Sequence, residues 1–277
     1  MPHPDAPPPS PDLDDLPVEP TRLPVPPLVW TLLPGVVLAA LAWAVSLSGT
    51  NEALFLSLNA RMNAALPAWI WAGLSLSGAV LGVIALLAPT LKTQPRWMGA
   101  ALLAAPLGVL FSQGGKHHFD VMRPAGVLDP ERFTLIGQKL YVHAFPSGHA
   151  TTAFLTAAVI LLAWPRQGRR WQAGALLLSL AILAALSRVA VGAHWPLDVL
   201  AGASGGWLCG AFGVWASTRL RFWEKPGGVR LMAIFAMATS LAMLFIDMGY
   251  PEARILQISL GAWGIGGAAA ALSQDRR

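Results

Sequence analysis

Cysteine is almost missing from this chain, with Cys209 alone among 277 residues. A single thiol excludes an intramolecular disulfide and any cysteine-built metal site, and its place inside an apolar run makes it a packing residue. Charge is scarce as well: 12% of residues are charged and 55% are hydrophobic. That is too apolar for a soluble globular domain, and the hydrophobic runs reach the roughly 20 residues that a bilayer demands. The net charge of +5 does not point to nucleic acid, because the chain has no basic helix, no zinc-ligand spacing and no aromatic RNA-binding motif. The first 27 residues lack the positive start and adjacent apolar core of a signal peptide. They carry prolines with Asp5, Asp12, Asp14, Asp15 and Glu19, the composition of a disordered tail.

Apolar runs of spanning length fall at Leu28 to Ser48, Ala68 to Pro89, Trp97 to Gln113, Pro146 to Trp164, Gln172 to Val189, Pro196 to Ser217, Val229 to Ile246 and Arg254 to Leu272. The expectation is an all-α fold, a polytopic transmembrane helical bundle of eight spans. Gly261, Gly264, Gly266 and Gly267 weaken the helical reading of the eighth. These spans put twelve of the 19 lysines and arginines, including Lys92, Arg96, Arg166, Arg169, Arg170, Arg276 and Arg277, on the side of the N-terminal tail. By the positive-inside rule that side is cytoplasmic, so both termini face the cytoplasm and the loops after the third and fifth spans face outward. Trp69, Trp71, Trp97, Trp164, Trp171, Trp195, Trp215 and Trp223 fall near span ends, where an indole can straddle lipid and water. In the sixth span Gly202, Gly206 and Gly210 recur every four residues, a stripe along which another helix can approach closely.

The charges that remain gather in three short segments. The outward loop after the third span begins with Lys116, His117, His118, Phe119, Asp120, Val121, Met122, Arg123 and Pro124, and ends at Pro146, Ser147, Gly148 and His149. Pro146 suits the first position of a helix, which places Ser147, Gly148 and His149 in the first turn. Backbone amides there lack intrahelical acceptors and face the positive end of the helix dipole, so they form a site for an anion; glycine lets a phosphate come close. The second outward loop holds Ser187, Arg188, Gly192, His194, Trp195, Pro196 and Asp198. Pro196 again fits a helix start, with Asp198 in the first turn and His194 just ahead of it. A carboxylate on one imidazole nitrogen fixes the tautomer and leaves the other nitrogen free to attack. Alternating spans bring all three segments to one side of the membrane. Three cations, a helix N-terminus, two histidines and one aspartate suit a phosphoryl group in transfer, one histidine attacking phosphorus and the other protonating the departing oxygen. His117, His118 and His143 with Asp120 fit a metal site poorly, since adjacent histidines do not project together from a helix and no acidic cluster accompanies them.

Lys116 with six residues before Arg123 and Pro124, the tetrad Pro146, Ser147, Gly148, His149, and the set Ser187, Arg188, Gly192, His194, Asp198 together resemble the three-part signature of the type 2 phosphatidic acid phosphatase family. The resemblance covers roughly the first six spans. It implies that His194 is the nucleophile and forms a phosphohistidine, that Asp198 orients it, and that His149 is the general acid for the leaving group. Lys116, Arg123, Ser147, Gly148 and Arg188 would hold the phosphate, with no metal and no other cofactor. The family core has six spans, which divides the chain into a proline-rich cytoplasmic tail over 1–27, a lipid phosphatase core over 28–217 and two additional C-terminal helices over 218–277.

The implied function is metal-independent hydrolysis of a lipid phosphomonoester or pyrophosphate at the outer face of a membrane. The alanine-rich, arginine-over-lysine composition fits the cytoplasmic membrane of a bacterium. The partner is a phosphorylated lipid and not a nucleic acid; undecaprenyl pyrophosphate, phosphatidylglycerophosphate, phosphatidic acid and lipid A phosphates all suit the chemistry. A phosphotransferase passing the group from His194 to a second lipid would use the same residues. A non-enzymatic transporter fits less well, because transporters place charge near the bilayer midplane and here it sits at the ends of spans.

Overall fold

The computed structural model describes residues 26–164 and 171–273. Most of the N-terminal tail, and Arg166, Arg169, Arg170, Arg276 and Arg277 of the charge bias, lie outside the described residues. Among the described residues eleven α-helices run in the order α1 (Leu28–Ser48), α2 (Asn51–Ala65), α3 (Ala68–Gly78), α4 (Val80–Leu87), α5 (Pro95–Phe119), α6 (Pro124–Val127), α7 (Gly148–Ala163), α8 (Trp171–Ala190), α9 (Pro196–Ser217), α10 (Pro226–Phe245) and α11 (Arg254–Leu272). No strand occurs among the described residues. The fold is all-α, and its outer surface is strongly apolar: Leu47, Leu110, Trp171, Phe245 and Ile255 stand exposed. Large apolar side chains left outside in this number mark a lipid-facing surface, and the chain is a multi-pass membrane protein.

The expected count of eight spans is not reached on length and composition. Among the described residues six helices suffice to cross a membrane, namely α1, the α5 segment, α8, α9, α10 and α11. The second expected span is broken: α3 and α4 meet at 76°, and Ala79 between them is extended. The fourth, α7, has 16 residues. At its start it is shorter than expected, and Pro146 lies outside it. It does not open the helix as expected, since Ser147 is the N-cap and Gly148 the first helical residue.

The centre of the bundle is α9 against α7. Gly202, Gly206 and Gly210 lie on the contact face, where added β-carbons would run into the carbonyls of Ser147, Thr151 and Leu155 respectively. Their absence lets two backbones touch, and in lipid such packing supplies what water would otherwise drive. On its other side α9 carries α1, where Ser204 Oγ donates to Gly35 O at 2.8 Å and Trp207 Nε1 to Thr31 O at 3.1 Å.

The last two helices pack onto the rest through a large buried cluster. Met232, Ala233, Ala236, Ala268 and Ala271 pack with Val83, Ile84, Leu87, Met98 and Ile160. The glycines that weakened the reading of the eighth span do not interrupt α11. Gly264 and Gly267 lie against Ala85 and Pro89, so their small size is used for packing.

Two further departures concern residues between spans. Nothing in the hydropathy marks α2, yet it forms 15 residues of helix. Trp71, Trp195 and Trp223 do not straddle lipid and water: all three are buried, and their indole N–H groups donate to Met62 O, Met122 O and Ser217 O. Trp69, Trp171 and Trp215 are exposed as expected.

Candidate active site

The starts of α7 and α9 lie side by side. Ser147 N donates to Asp198 O at 3.0 Å, which ties the two N-termini together directly. Ser147 is fully buried, and its Oγ accepts from Ala150 N at 3.5 Å while its own proton remains available to donate. The amides of Gly148 and His149 sit at the first two helical positions, where no intrahelical acceptor exists. Lys116, in the last turn of α5, brings Nζ to 3.8 Å from where a β-carbon on Gly148 would stand. Any side chain there would take the space between the ammonium group and the helix start.

His194 sits in the short connection between α8 and α9. The turn depends on Gly192, whose φ of +76° is left-handed and whose missing side chain makes room for Phe133 and Thr134 O. The amides of Ala193 and His194 both donate to Arg188 O, at 3.0 and 3.2 Å. Asp198, third in α9, accepts from Trp195 N at 2.9 Å and faces His194 Nδ1 at 3.3 Å. On the other edge of the ring Arg123 Nη1 approaches His194 Nε2 at 3.1 Å. A guanidinium can only donate, so Nε2 accepts, the ring proton is on Nδ1, and that proton points at Asp198. His194 and Asp198 are both almost fully buried.

Arg123 is fixed by backbone. Its Nε donates to Val142 O at 2.8 Å, Nη1 to Ala193 O at 2.9 Å and Nη2 to His143 O at 3.2 Å. None of these carbonyls neutralises its charge. Arg188, in the last turn of α8, is buried, and its Nη1 donates to Ser75 Oγ and Tyr250 Oη. Burial first, then Arg123, Arg188, Lys116 and His149, holds the His194 imidazole well below its ordinary pKa. A cluster that disfavours a proton on His194 is one that attracts an anion.

The eight residues singled out by the sequence form one cluster: Asp198 and Arg123 meet the His194 ring, Arg188, Lys116 and half-buried His149 stand close enough to act on its charge, Ser147 N bonds to Asp198 O, and Lys116, Gly148 and His149 share the lining of one cavity. His117 and His118 are not part of it. His143 pairs with Asp120 at 3.2 Å at the rim and stacks near His117, while His118 lies against Phe119. Among the described residues no three His, Cys, Asp or Glu side chains are grouped to hold a metal.

Sequence reasoning missed the supports. Asn59 of α2 is buried and donates to Thr134 O, Val189 O and Ala190 O at 2.9 to 3.0 Å, while its Oδ1 accepts from Thr134 N at 2.8 Å. Asn51 Oδ1 accepts from Leu197 N at 3.0 Å and so covers the start of α9. Phe55 packs edge-on against Trp195 at 5.2 Å. Asn51, Phe55, Asn59 and Asn63 recur every four residues, a one-sided helical stripe that was there to be read.

A cavity of about 320 Å³ opens beside this pocket. Lys116, Gly148 and His149 line one end; Val83, Leu87, Met98 and Leu102 line the other, between α4, α5 and α7. Along α5, Met98 to Lys116 spans about 27 Å at 1.5 Å per residue, close to a bilayer's hydrocarbon thickness of about 30 Å. The bend between α3 and α4 places Gly78, Ala79 and Val80 in its wall.

Residues 94–222 match the family model described as the PAP2 superfamily. The undecaprenyl-diphosphatase of Sulfolobus acidocaldarius is 31% identical over 124 residues, 45% of this chain and 53% of that protein. The lipid A 1-phosphatase of Porphyromonas gingivalis is 28% identical over 130 residues, 46% of this chain and 26% of that protein. The chain thus spans about half the length of the first relative and about a quarter of the second. The crystal structure of Aquifex aeolicus LpxE superposes with a TM-score of 0.51 at 28% identity, covering 59% of this chain and 93% of that one.

Proposed function

We propose, from the match of residues 94–222 to the PAP2 superfamily model, that the chain is a metal-independent lipid phosphatase using a phosphohistidine intermediate. The observation that carries this reading is the His194 ring, held between Asp198 on Nδ1 and Arg123 on Nε2. In the first step Nε2 attacks phosphorus, the bond from phosphorus to the lipid oxygen breaks, and protonated His149 supplies the proton that oxygen needs. Asp198 accepts the Nδ1 proton's hydrogen bond as the ring becomes cationic. In the second step neutral His149 takes a proton from water, the water oxygen attacks phosphorus, the bond from phosphorus to nitrogen breaks, and inorganic phosphate leaves. Arg123, Arg188, Lys116, the Ser147 hydroxyl and the amides of Gly148 and His149 stabilise the charge on the equatorial oxygens.

The substrate is a lipid whose phosphate enters at the outer surface of a bacterial cytoplasmic membrane while its hydrocarbon lies along the groove between α4, α5 and α7. Undecaprenyl pyrophosphate is the first candidate, supported by the name of the Sulfolobus relative and by the terminal phosphate it presents. The organisation behind this is a core over 28–217 that carries the chemistry, preceded by the tail and followed by two helices that pack onto it.

Phosphate release from undecaprenyl pyrophosphate, phosphatidylglycerophosphate, phosphatidic acid and lipid A, with purified protein and excess chelator, tests the reading. Release from at least one lipid that persists under chelation is expected, and a strict divalent-metal requirement overturns it. The groove has its own consequence. Ala105 lines it midway along α5, and Ala105→Phe is expected to lower kcat/KM for a long-chain lipid phosphate about 10-fold more than for a short-chain soluble analogue. Equal losses on the two substrates would remove the hydrocarbon from the groove.

A further inference from the structure

Arg188 is held by residues that lie outside the matched stretch 94–222. Its Nη1 donates to Ser75 Oγ from α3 and to Tyr250 Oη from the connection between α10 and α11. The two hydroxyls are themselves 3.2 Å apart, and the guanidinium carbon stands 5.8 Å from the centroid of the Tyr250 ring. We propose, on the reading that Arg188 binds phosphate, that Tyr250 with Ser75 positions this arginine, which makes the link between the last two helices a working part of the phosphate pocket.

The chemistry of the partners is the reason. Arg188 is buried, and the ion pairs among the described residues do not include it. A carboxylate would fix the guanidinium and also cancel the charge that an anion needs. Two neutral oxygens and a ring face fix it and leave the charge intact. Arg188 Nε is buried without a partner, so a donor remains for a ligand oxygen once Nη1 is fixed.

Tyr250 is held in place from its own side. Gly249 has φ +79° and accepts at its carbonyl from Gln138 N at 3.0 Å, while Ile136 N donates to Val191 O at 3.1 Å. Tyr250 shares a buried cluster with Trp71, Ile136, Val191 and Ala193. The segment around Ile136 to Gln138 thus bridges the turn ahead of His194 and the turn carrying Tyr250. The α10–α11 link is therefore in register with the catalytic loop.

Tyr250→Phe removes the hydroxyl and keeps the ring, so the fold is preserved. In the full chain it is expected to lower kcat/KM for lipid phosphate release about 10-fold and to weaken orthovanadate binding by a similar factor. Ser75→Ala should do the same to a smaller extent. In an Arg188→Ala background, Tyr250→Phe should cost nothing further, which a purely structural role would not produce. Wild-type kcat/KM with wild-type vanadate affinity in Tyr250→Phe, or losses that multiply with Arg188→Ala, would overturn the positioning role. Protection by vanadate against thermal unfolding keeps this test separate from the activity. If the wild type releases phosphate from no lipid, the phosphatase reading falls; a vanadate protection that weakens in Tyr250→Phe still upholds the positioning, and protection that is equal in both or missing from the wild type ends it.

Discussion

His194→Ala is expected to abolish phosphate release from the lipid substrate, with a loss of about 10⁴-fold or more in kcat at unchanged yield of membrane-inserted protein. The size follows from what disappears. His194 supplies the attacking atom, so nothing of the covalent route remains and only water held by the anion site can react. The fold survives because each neighbour keeps other partners. Arg123 retains three backbone carbonyls, and Asp198 retains the Trp195 amide. A phosphoenzyme that is labile to acid and stable to alkali should be trapped from the wild type and be missing from His194→Ala. Retention of more than about a hundredth of wild-type activity would remove His194 from the chemistry.

The same residue sets an expectation for pH. The imidazole of His194 is held well below its ordinary value by burial and by the surrounding cations. The unprotonated ring is the reactive form, and it persists as pH falls until the lowered value is crossed. With the titration of the substrate phosphate allowed for, the acid limb of kcat/KM, which belongs to His194, should therefore lie below the usual imidazole range, while the alkaline limb belongs to the proton that His149 must carry and should be missing from His149→Ala. An acid limb at about pH 6.5 belonging to the enzyme would mean that His194 is not surrounded by cations as described.

The pocket was legible because its parts obey local rules. Pro196 at the first helical position, Asp198 two residues on and His194 two residues back form a unit that the sequence encodes within five residues. Lys116 and Arg123 needed one further fact, that alternating spans return the chain to the same face. Pro146 was misplaced by one such local rule: proline is favoured at the first helical position, but Ser147 followed it with a side chain suited to the cap, and the cap won.

The supports were illegible for a different reason. Hydropathy reports contact with lipid, and α2 does not have it; Asn59 faces the protein, where each carbonyl it donates to belongs to a residue more than 70 positions away. Tyr250 is a lone hydroxyl in a turn, 62 residues from the arginine it holds. The asparagines of α2 do fall on a four-residue repeat, but that spacing says nothing of what they bond, and Tyr250 carries no spacing at all. The kinked second span hid in the same way, because Ser77, Gly78 and Ala79 are ordinary residues in an apolar run, and the neighbours of the bend, Ala184 and the carbonyl of His149, come from distant helices.

Asp198→Asn is expected to lower kcat about 10²- to 10³-fold, although the side chain keeps its size and the helix its cap. Both the Trp195 amide and His194 Nδ1 meet the same oxygen, Oδ2, at 2.9 and 3.3 Å. Two donors converge there, so asparagine places its amide oxygen in that position and its NH₂ in the other. The start of α9 and the tautomer of the ring are then kept, and Nε2 still presents a lone pair towards Arg123 Nη1. What is lost is charge: the imidazolium that forms as phosphorus is attacked has no counter-charge beside it. Asp198→Glu, which restores a carboxylate at the wrong length, should recover only part of the loss. Comparison of Asp198→Asn with Asp198→Ala separates orientation from charge: alanine removes the acceptor as well as the charge, so its kcat should be lower than that of the asparagine variant. An asparagine variant that works as well as the wild type would mean that the carboxylate orients the ring and caps α9 without its charge entering the reaction.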